Sequence, residues 1–267
     1  MNNTFTSIQE HGYVYIPGPF ESSLTLSLLN DSFLKILENY QERIRIPSYI
    51  KEEIGLDPDD ALVIRSNDTG HDEKAYFHYR PVVGRYLSLH LRRSPMMDNF
   101  LGLCDDVYHK MLHFYDQIYM DLDEDLSQIY EKFRSAARKE MLVLRLLRYK
   151  DVSKEQEILA MPHQDISCLT SPLYESHSGL QLLIGENWQN VKMKEGSTLI
   201  FPGMKMGLLT GGMPFTRGVF VEEKKKEQDF VSQGAIAPAE HRVLGVPGKK
   251  KYTRTSIVFF AHVDMDA

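Results

Sequence analysis

Five residues in the second half of this sequence could do chemistry together: His163, Asp165 and His241, followed by Arg254 and Ser256. Two imidazoles and one carboxylate suit a non-haem Fe(II) ion, because they hold one face of the metal and leave the other open. A later arginine suits an acidic co-substrate, since its planar fork bonds a carboxylate through two charge-assisted hydrogen bonds. Order and context make the case, because the pieces are common. With ten histidines in 267 residues, chance alone supplies about 0.7 of a His-x-Asp. The chain has two, His163-Gln164-Asp165 and His262-Val263-Asp264. Only the first has a histidine left downstream to complete a triad, and the second is expected to be a strand end running into a frayed terminus.

The elements that must position these residues are legible around them. Ile158-Leu159-Ala160-Met161 is an extended apolar run broken by Pro162. On a strand, residues two apart share a face, so His163 and Asp165 would both reach one ion. His241 would have to come from a distant strand folded alongside. The competing reading of the pair is an ordinary hydrogen-bonded surface feature near a strand end. Arg254 opens a second run, Arg254-Thr255-Ser256-Ile257-Val258-Phe259-Phe260, rich in β-branched and aromatic residues. Its alternation places Arg254 and Ser256 on one face with Val258 and Phe260, which describes a pocket wall. A buried arginine demands an anion. That anion is either a bound carboxylate or an acidic residue of the protein itself.

From about Leu142 to Val263 the sequence resembles the isopenicillin-N-synthase-like family of Fe(II)- and 2-oxoglutarate-dependent oxygenases. The resemblance is carried in order by Leu146-Leu147-Arg148-Tyr149, Pro162-His163-Gln164-Asp165, Leu169-Thr170, Gly179-Leu180-Gln181-Leu182-Leu183 and Trp188-Gln189-Asn190-Val191. It continues through Gly196-Ser197-Thr198-Leu199-Ile200, Gly203, Leu209-Thr210, His241-Arg242-Val243 and Arg254-Thr255-Ser256. It implies a mainly β fold with flanking helices, a double-stranded β-helix (jelly roll, cupin-like). It also implies that His163, Asp165 and His241 bind Fe(II), and that Arg254, Ser256 and Tyr149 hold the distal carboxylate of 2-oxoglutarate. The implied reaction consumes O2, releases succinate and CO2, and oxidises a C–H bond of a small-molecule substrate, with hydroxylation the leading outcome. Three departures stand out: Leu147 where an asparagine is common, Met204 and Gly211 at expected turn positions, and an inserted segment from Gly212 to Ala239. Part of that insertion, Phe215 to Phe230, is expected to act as a lid or substrate-selecting wall. Two alternatives stay open: an iron oxidase of the same fold that uses no 2-oxoglutarate, and a non-catalytic metal-binding jelly-roll module.

Composition sets the frame. With 42% hydrophobic and 25% charged residues the chain is ordinarily globular, and a net charge of −6 with pI near 5.9 argues against nucleic-acid or anionic-membrane partners. Cys104 and Cys168 make no disulfide framework, and no leader or membrane-spanning pattern is visible, so a reduced cytoplasmic location is expected. The expected organisation is one oxygenase domain over 1–267, in which 1–140 supports a jelly-roll core at 141–267. Within the support, Tyr13-Val14-Tyr15-Ile16 reads as a strand. Two helical stripes, Leu29/Phe33/Ile36/Leu37/Tyr40 and Val107/Met111/Phe114/Tyr115/Ile118, should pack on the outside of a sheet. The turn-rich stretch Ser66 to Glu73, with His71, reads as a solvated loop, and Arg80, Arg85, Arg92 and Arg93 as mostly surface residues.

Overall fold

The structure, a computed structural model, describes residues 4–65, 73–91, 94–120, 127–149, 151, 158–211, 235–246 and 252–267. The first half is largely helical: α1 (Thr4–His11), β1 (Val14–Pro17), α2 (Leu24–Tyr40), α3 (Ser48–Glu53), β2 (Ala61–Arg65), β3 (Lys74–Tyr79), α4 (Pro81–His90), α5 (Pro95–Met120) and α6 (Ser127–Arg138). The second half is mostly strand: β4 (Val143–Tyr149), β5 (Ile158–His163), β6 (Leu169–Glu175), β7 (Leu180–Ile184), β8 (Asn187–Asn190), β9 (Ser197–Pro202), α7 (Met204–Thr210), β10 (His241–Leu244) and β11 (Thr255–Ala261).

Among the described residues these strands form two antiparallel sheets, a seven-stranded one ordered β1-β9-β6-β11-β4-β3-β2 and a four-stranded one ordered β5-β10-β7-β8. The fold is the expected jelly roll with flanking helices. Strand alternation divides the core in two. Leu144 and Leu146 of β4, with Ile257, Phe259 and Ala261 of β11, join the helices in one cluster. Leu147 and Tyr149 of β4, with Val258 of β11, turn instead into a second cluster shared with Leu159, Leu182 and Val243 of the smaller sheet. The helical stripes are buried as expected, and Tyr115 of α5 stacks on Phe259 with ring centroids 5.7 Å apart. Each fully buried side chain of this size contributes about 1.5–3 kcal/mol, so the helical layer fixes the larger sheet and everything mounted on it.

Two expectations need correction. The His262-Val263-Asp264 end is not frayed: Asp264 is buried and accepts hydrogen bonds from Ser135 Oγ and Lys139 Nζ, both at 2.6 Å, which tie the terminus to α6. Arg80 is not a surface residue. It is buried, its Nε donating to Asp60 Oδ1 at 3.0 Å, because a fork-on-fork pair satisfies a charge that water no longer reaches. Arg85 keeps the expected exposed character, paired with Glu140. Both cysteines are free and buried. Among the described residues no helix is long and apolar enough to cross a membrane. The stretch 66–72, Arg92, Arg93 and residues 212–234 of the insertion, including the expected lid, lie outside the described residues.

Candidate metal centre

β10 lies between β5 and β7, and its register sets His241 directly opposite His163. Their rings lie 4.2 Å apart, centroid to centroid. β5 is an edge strand, where Pro162 costs no ladder hydrogen bond. Asp165 reaches the pair by another route than the expected strand alternation, since β5 ends at His163 and the chain turns. That turn is clamped from the far side: the Met204 amide donates to the Asp165 carbonyl at 2.7 Å and the Gly203 amide to the Cys168 carbonyl at 2.9 Å. Gly203 is required there, since a Cβ would sit 2.2 Å from the Ser167 carbonyl oxygen and 2.8 Å from that of Asp165. Met204 and Gly211, read as turn positions, bound α7, and Gly211 takes the left-handed conformation (φ 78°) that ends the helix.

The result is a convergence of three donors. His163 Nε2 lies 3.7 Å from Asp165 Oδ1, and His241 Nε2 lies 3.5 Å from Asp165 Oδ2. One ligand atom from each residue falls within 4.8 Å of the other two, the arrangement a metal ion requires. The tautomers suit it as well. His163 Nδ1 donates to the Met161 carbonyl at 2.7 Å and His241 Nδ1 to the Ala239 carbonyl at 3.4 Å, which leaves each Nε2 a lone pair facing the carboxylate. Burial pushes the His241 pKa down to about 4, so its imidazole is neutral and able to ligate. Burial opposes ionisation of Asp165, but His241, His163 and Arg145 together with the Thr170 hydroxyl outweigh it and hold the carboxyl below its ordinary pKa. Thr170 Oγ1 donates to Asp165 Oδ2 at 2.8 Å and is itself 2.7 Å from Ser167 Oγ, which orients the carboxylate.

Two cavities meet at this cluster. The narrower, about 60 Å3, is lined by Tyr149, Glu175, Arg254 and Ser256 as well as the three donors. Arg254 and Ser256 do come together, on the inner face of the larger sheet. Tyr149 lies under the guanidinium, its ring centroid 5.0 Å from Arg254 Cζ. Arg254 Nη2 donates to Glu175 Oε2 at 2.8 Å and Nε to the His177 carbonyl at 3.0 Å, whereas the buried Nη1 has no partner among the described residues. The wider cavity, about 810 Å3, opens on the other side of His163 and Asp165 and is lined also by His78, Arg145, Phe260 and His262. Burial drives the His78 pKa well below its usual value and that of His262 to about 3, so both are neutral.

Glu175 and Arg145 escape the motif reading. Glu175 is hidden by a β-bulge between β6 and β11: Val258 pairs with Pro172 but Ile257 pairs with Tyr174, and the extra residue brings Glu175 opposite Ser256. Simple alternation along Leu169–Glu175 cannot foresee it. Arg145 did leave a signal, as the one charged residue on the face Val143, Arg145, Leu147, Tyr149 of an apolar strand.

Residues 139–263 match the 2OG-Fe(II) oxygenase superfamily. No curated protein matches the sequence. Among solved structures, a candidate oxygenase from Shewanella oneidensis superposes with a TM-score of 0.65 at 17% identity, covering 97% of this chain and 85% of that one. A full-length Neurospora crassa protein in complex with alpha-KG gives 0.63 at 15% identity, covering 98% and 77%. The Arabidopsis thaliana dioxygenase for auxin oxidation gives 0.63 at 11%, covering 99% and 88%. At these identities the likeness shows the fold alone.

Proposed function

We propose that this chain, which matches the 2OG-Fe(II) oxygenase superfamily over residues 139–263, hydroxylates an unactivated C–H bond of a small organic molecule. It is a non-haem Fe(II)- and 2-oxoglutarate-dependent dioxygenase. The observation that carries the site assignment is the convergence of His163, Asp165 and His241 on one point beside a cavity containing an unsatisfied arginine nitrogen. Those three residues would hold Fe(II), the borderline nitrogen donors and single carboxylate being the donor set this ion favours. With metal and co-substrate bound, O2 is consumed, 2-oxoglutarate becomes succinate and CO2, and one oxygen atom enters the substrate.

The chain's own residues order that chemistry. Arg254 Nη1 and the Ser256 hydroxyl would grip the distal carboxylate of 2-oxoglutarate, and Tyr149 supports the guanidinium from below. Leu147, Val243 and Phe201 line the same cavity and keep water from it. Thr170 and the two backbone carbonyls fix the ligands' orientation so that little rearrangement accompanies metal binding. The Neurospora crassa protein was solved with alpha-KG and the Arabidopsis enzyme with 2-oxoglutarate, which supports the co-substrate assignment here. In this reading residues 1–267 act as one catalytic unit, with 1–140 as its support. The free, buried cysteines favour the reducing cytoplasm as its location.

The deciding experiment is anaerobic titration of the Fe(II)-loaded protein with 2-oxoglutarate, following the weak visible charge-transfer band of a chelated 2-oxo acid. A saturable band that His163→Ala abolishes is the expected result. Bound iron without a band would overturn the assignment.

A further inference from the structure

We propose that Arg145 anchors a carboxylate of the substrate, so that this oxygenase acts on small organic acids with an apolar body. The inference deepens the function proposed above and rests on it. Arg145 sits in the middle of β4, opposite Val258 on one side and His78 on the other, facing inward. Its guanidinium carbon lies 4.5 Å from the centroid of Phe260 and 5.4 Å from that of Tyr76. Its Nε donates to His78 Nε2 at 2.5 Å. The group is thus held in place by two rings and one hydrogen bond, all from uncharged partners.

Among the described residues no carboxylate pairs with Arg145, although the wider cavity contains several. Asp59 accepts from the Tyr76 hydroxyl at 2.7 Å and is paired with Arg65 at 3.4 Å. Asp57 and Asp60 are both bound to Arg80. Asp165 belongs to the metal cluster. A partly buried guanidinium fixed between aromatic faces, with no hydrogen bond from its Nη atoms among the described residues, is set to receive an anion, and the planar fork favours a carboxylate. The wider cavity, about 810 Å3, would admit that anion, and like the narrower one it is bordered by Arg145, His163 and Asp165. Its apolar surface includes Phe260, Val143 and the exposed side chains of Met161 and Ile166. An acid gripped at Arg145 therefore lays its carbon skeleton along this wall and against the metal cluster. Arg145 also borders the narrower cavity, but Arg254 already offers its open Nη1 there, so the proposal gives Arg254 to the co-substrate and Arg145 to the substrate.

The test uses matched pairs of small aromatic and alicyclic carboxylic acids and their primary amides. Binding is read by ligand-observed NMR on the Zn(II)-loaded protein with 2-oxoglutarate, so the result does not depend on turnover. Wild type should bind acids about tenfold or more tightly than their amides, the scale of hydrogen bonds to a charged group. Arg145→Gln should erase that preference and Arg145→Lys should keep part of it. The charge-transfer titration of each variant separates this inference from the broader one: absence of the band in wild type defeats the oxygenase assignment, whatever Arg145 does. Amides binding as tightly as acids, or an acid preference that survives in Arg145→Gln, would overturn the proposal. So would an Arg145→Gln variant that loses 2-oxoglutarate as severely as the acids, since Arg145 would then serve the co-substrate.

Discussion

Glu175 and Arg254 form a buried ion pair, 2.8 Å from Oε2 to Nη2, inside the cavity that Ser256 and the metal cluster share. The arginine's need for an anion is thus half met by the protein, through Nη2, and half left open at Nη1. A protein carboxylate holding part of the fork in the free enzyme spares it the cost of an uncompensated buried charge. It also competes with any acid that arrives.

That competition has a pH signature. Burial raises the pKa of Glu175, and Arg254 offsets this only in part. Below that raised pKa the side chain is neutral and competes weakly; above it the carboxylate claims Arg254. Affinity for 2-oxoglutarate should therefore fall as pH rises through the Glu175 titration. Glu175→Gln should remove the slope and tighten binding by roughly tenfold at the upper end. Anaerobic titrations across pH measure this, and weaker binding in the variant would show that Glu175 assists the co-substrate.

Asp165→Ala should abolish most Fe(II) affinity, because it removes the one anionic donor of the proposed set. Thr170→Val keeps all three ligands and loses only the hydrogen bond to Asp165 Oδ2. Its iron affinity should drop by about 10–100-fold, the usual range for such supporting bonds. Metal content after equilibrium dialysis ranks the two variants, and equal retention of iron in both would refute the ligand assignment.

Gly203→Ala places a methyl group against two carbonyl oxygens at 2.2 and 2.8 Å, and backbone cannot swing aside as a side-chain tip would. The Asp165 turn must shift. A stability loss of about 1–3 kcal/mol is expected, with iron affinity lowered in step. Denaturant unfolding and iron titration on the same preparation check it, and an unchanged iron affinity would mean that the clamp is dispensable.

The second His-x-Asp should behave in the opposite way. Asp264→Asn loses the charge that Lys139 neutralises, so its melting temperature should fall while Fe(II) binding stays intact. The hydrogen bond from Lys139, with that from Ser135, brings the Asp264 pKa down to about 2. Its contribution to stability is thus present above the ordinary aspartate range and disappears as pH falls toward about 2. Melting curves of the variant should lack that part of the acid sensitivity. Iron loss in the variant would contradict the structural role.

The donors proposed to hold the metal were legible because ligation needs particular side chains, and because the downstream histidine, arginine and serine follow the His-x-Asp in a consistent order. The alternation around Ser256 was equally plain, since a strand with one buried face on each side must repeat every two residues. Arg145 was visible by the same rule but carried no motif to mark it. Asp264 and Arg80 were misread for a shared reason: a charge near a strand end or a helix start looks solvated until a distant partner arrives, here Lys139 and Asp60.

Taken by itself, the sequence determined the helical stripes, the inward-facing strand residues and the identities of the donors, all of which follow from local periodicity and side-chain chemistry. Tertiary structure alone decided the register that sets His241 against His163, the Gly203 clamp on the Asp165 turn and the bulge that delivers Glu175 to Arg254. These depend on segments far apart in the chain meeting at one offset, and a single-residue slip in strand pairing would send each side chain to the opposite face.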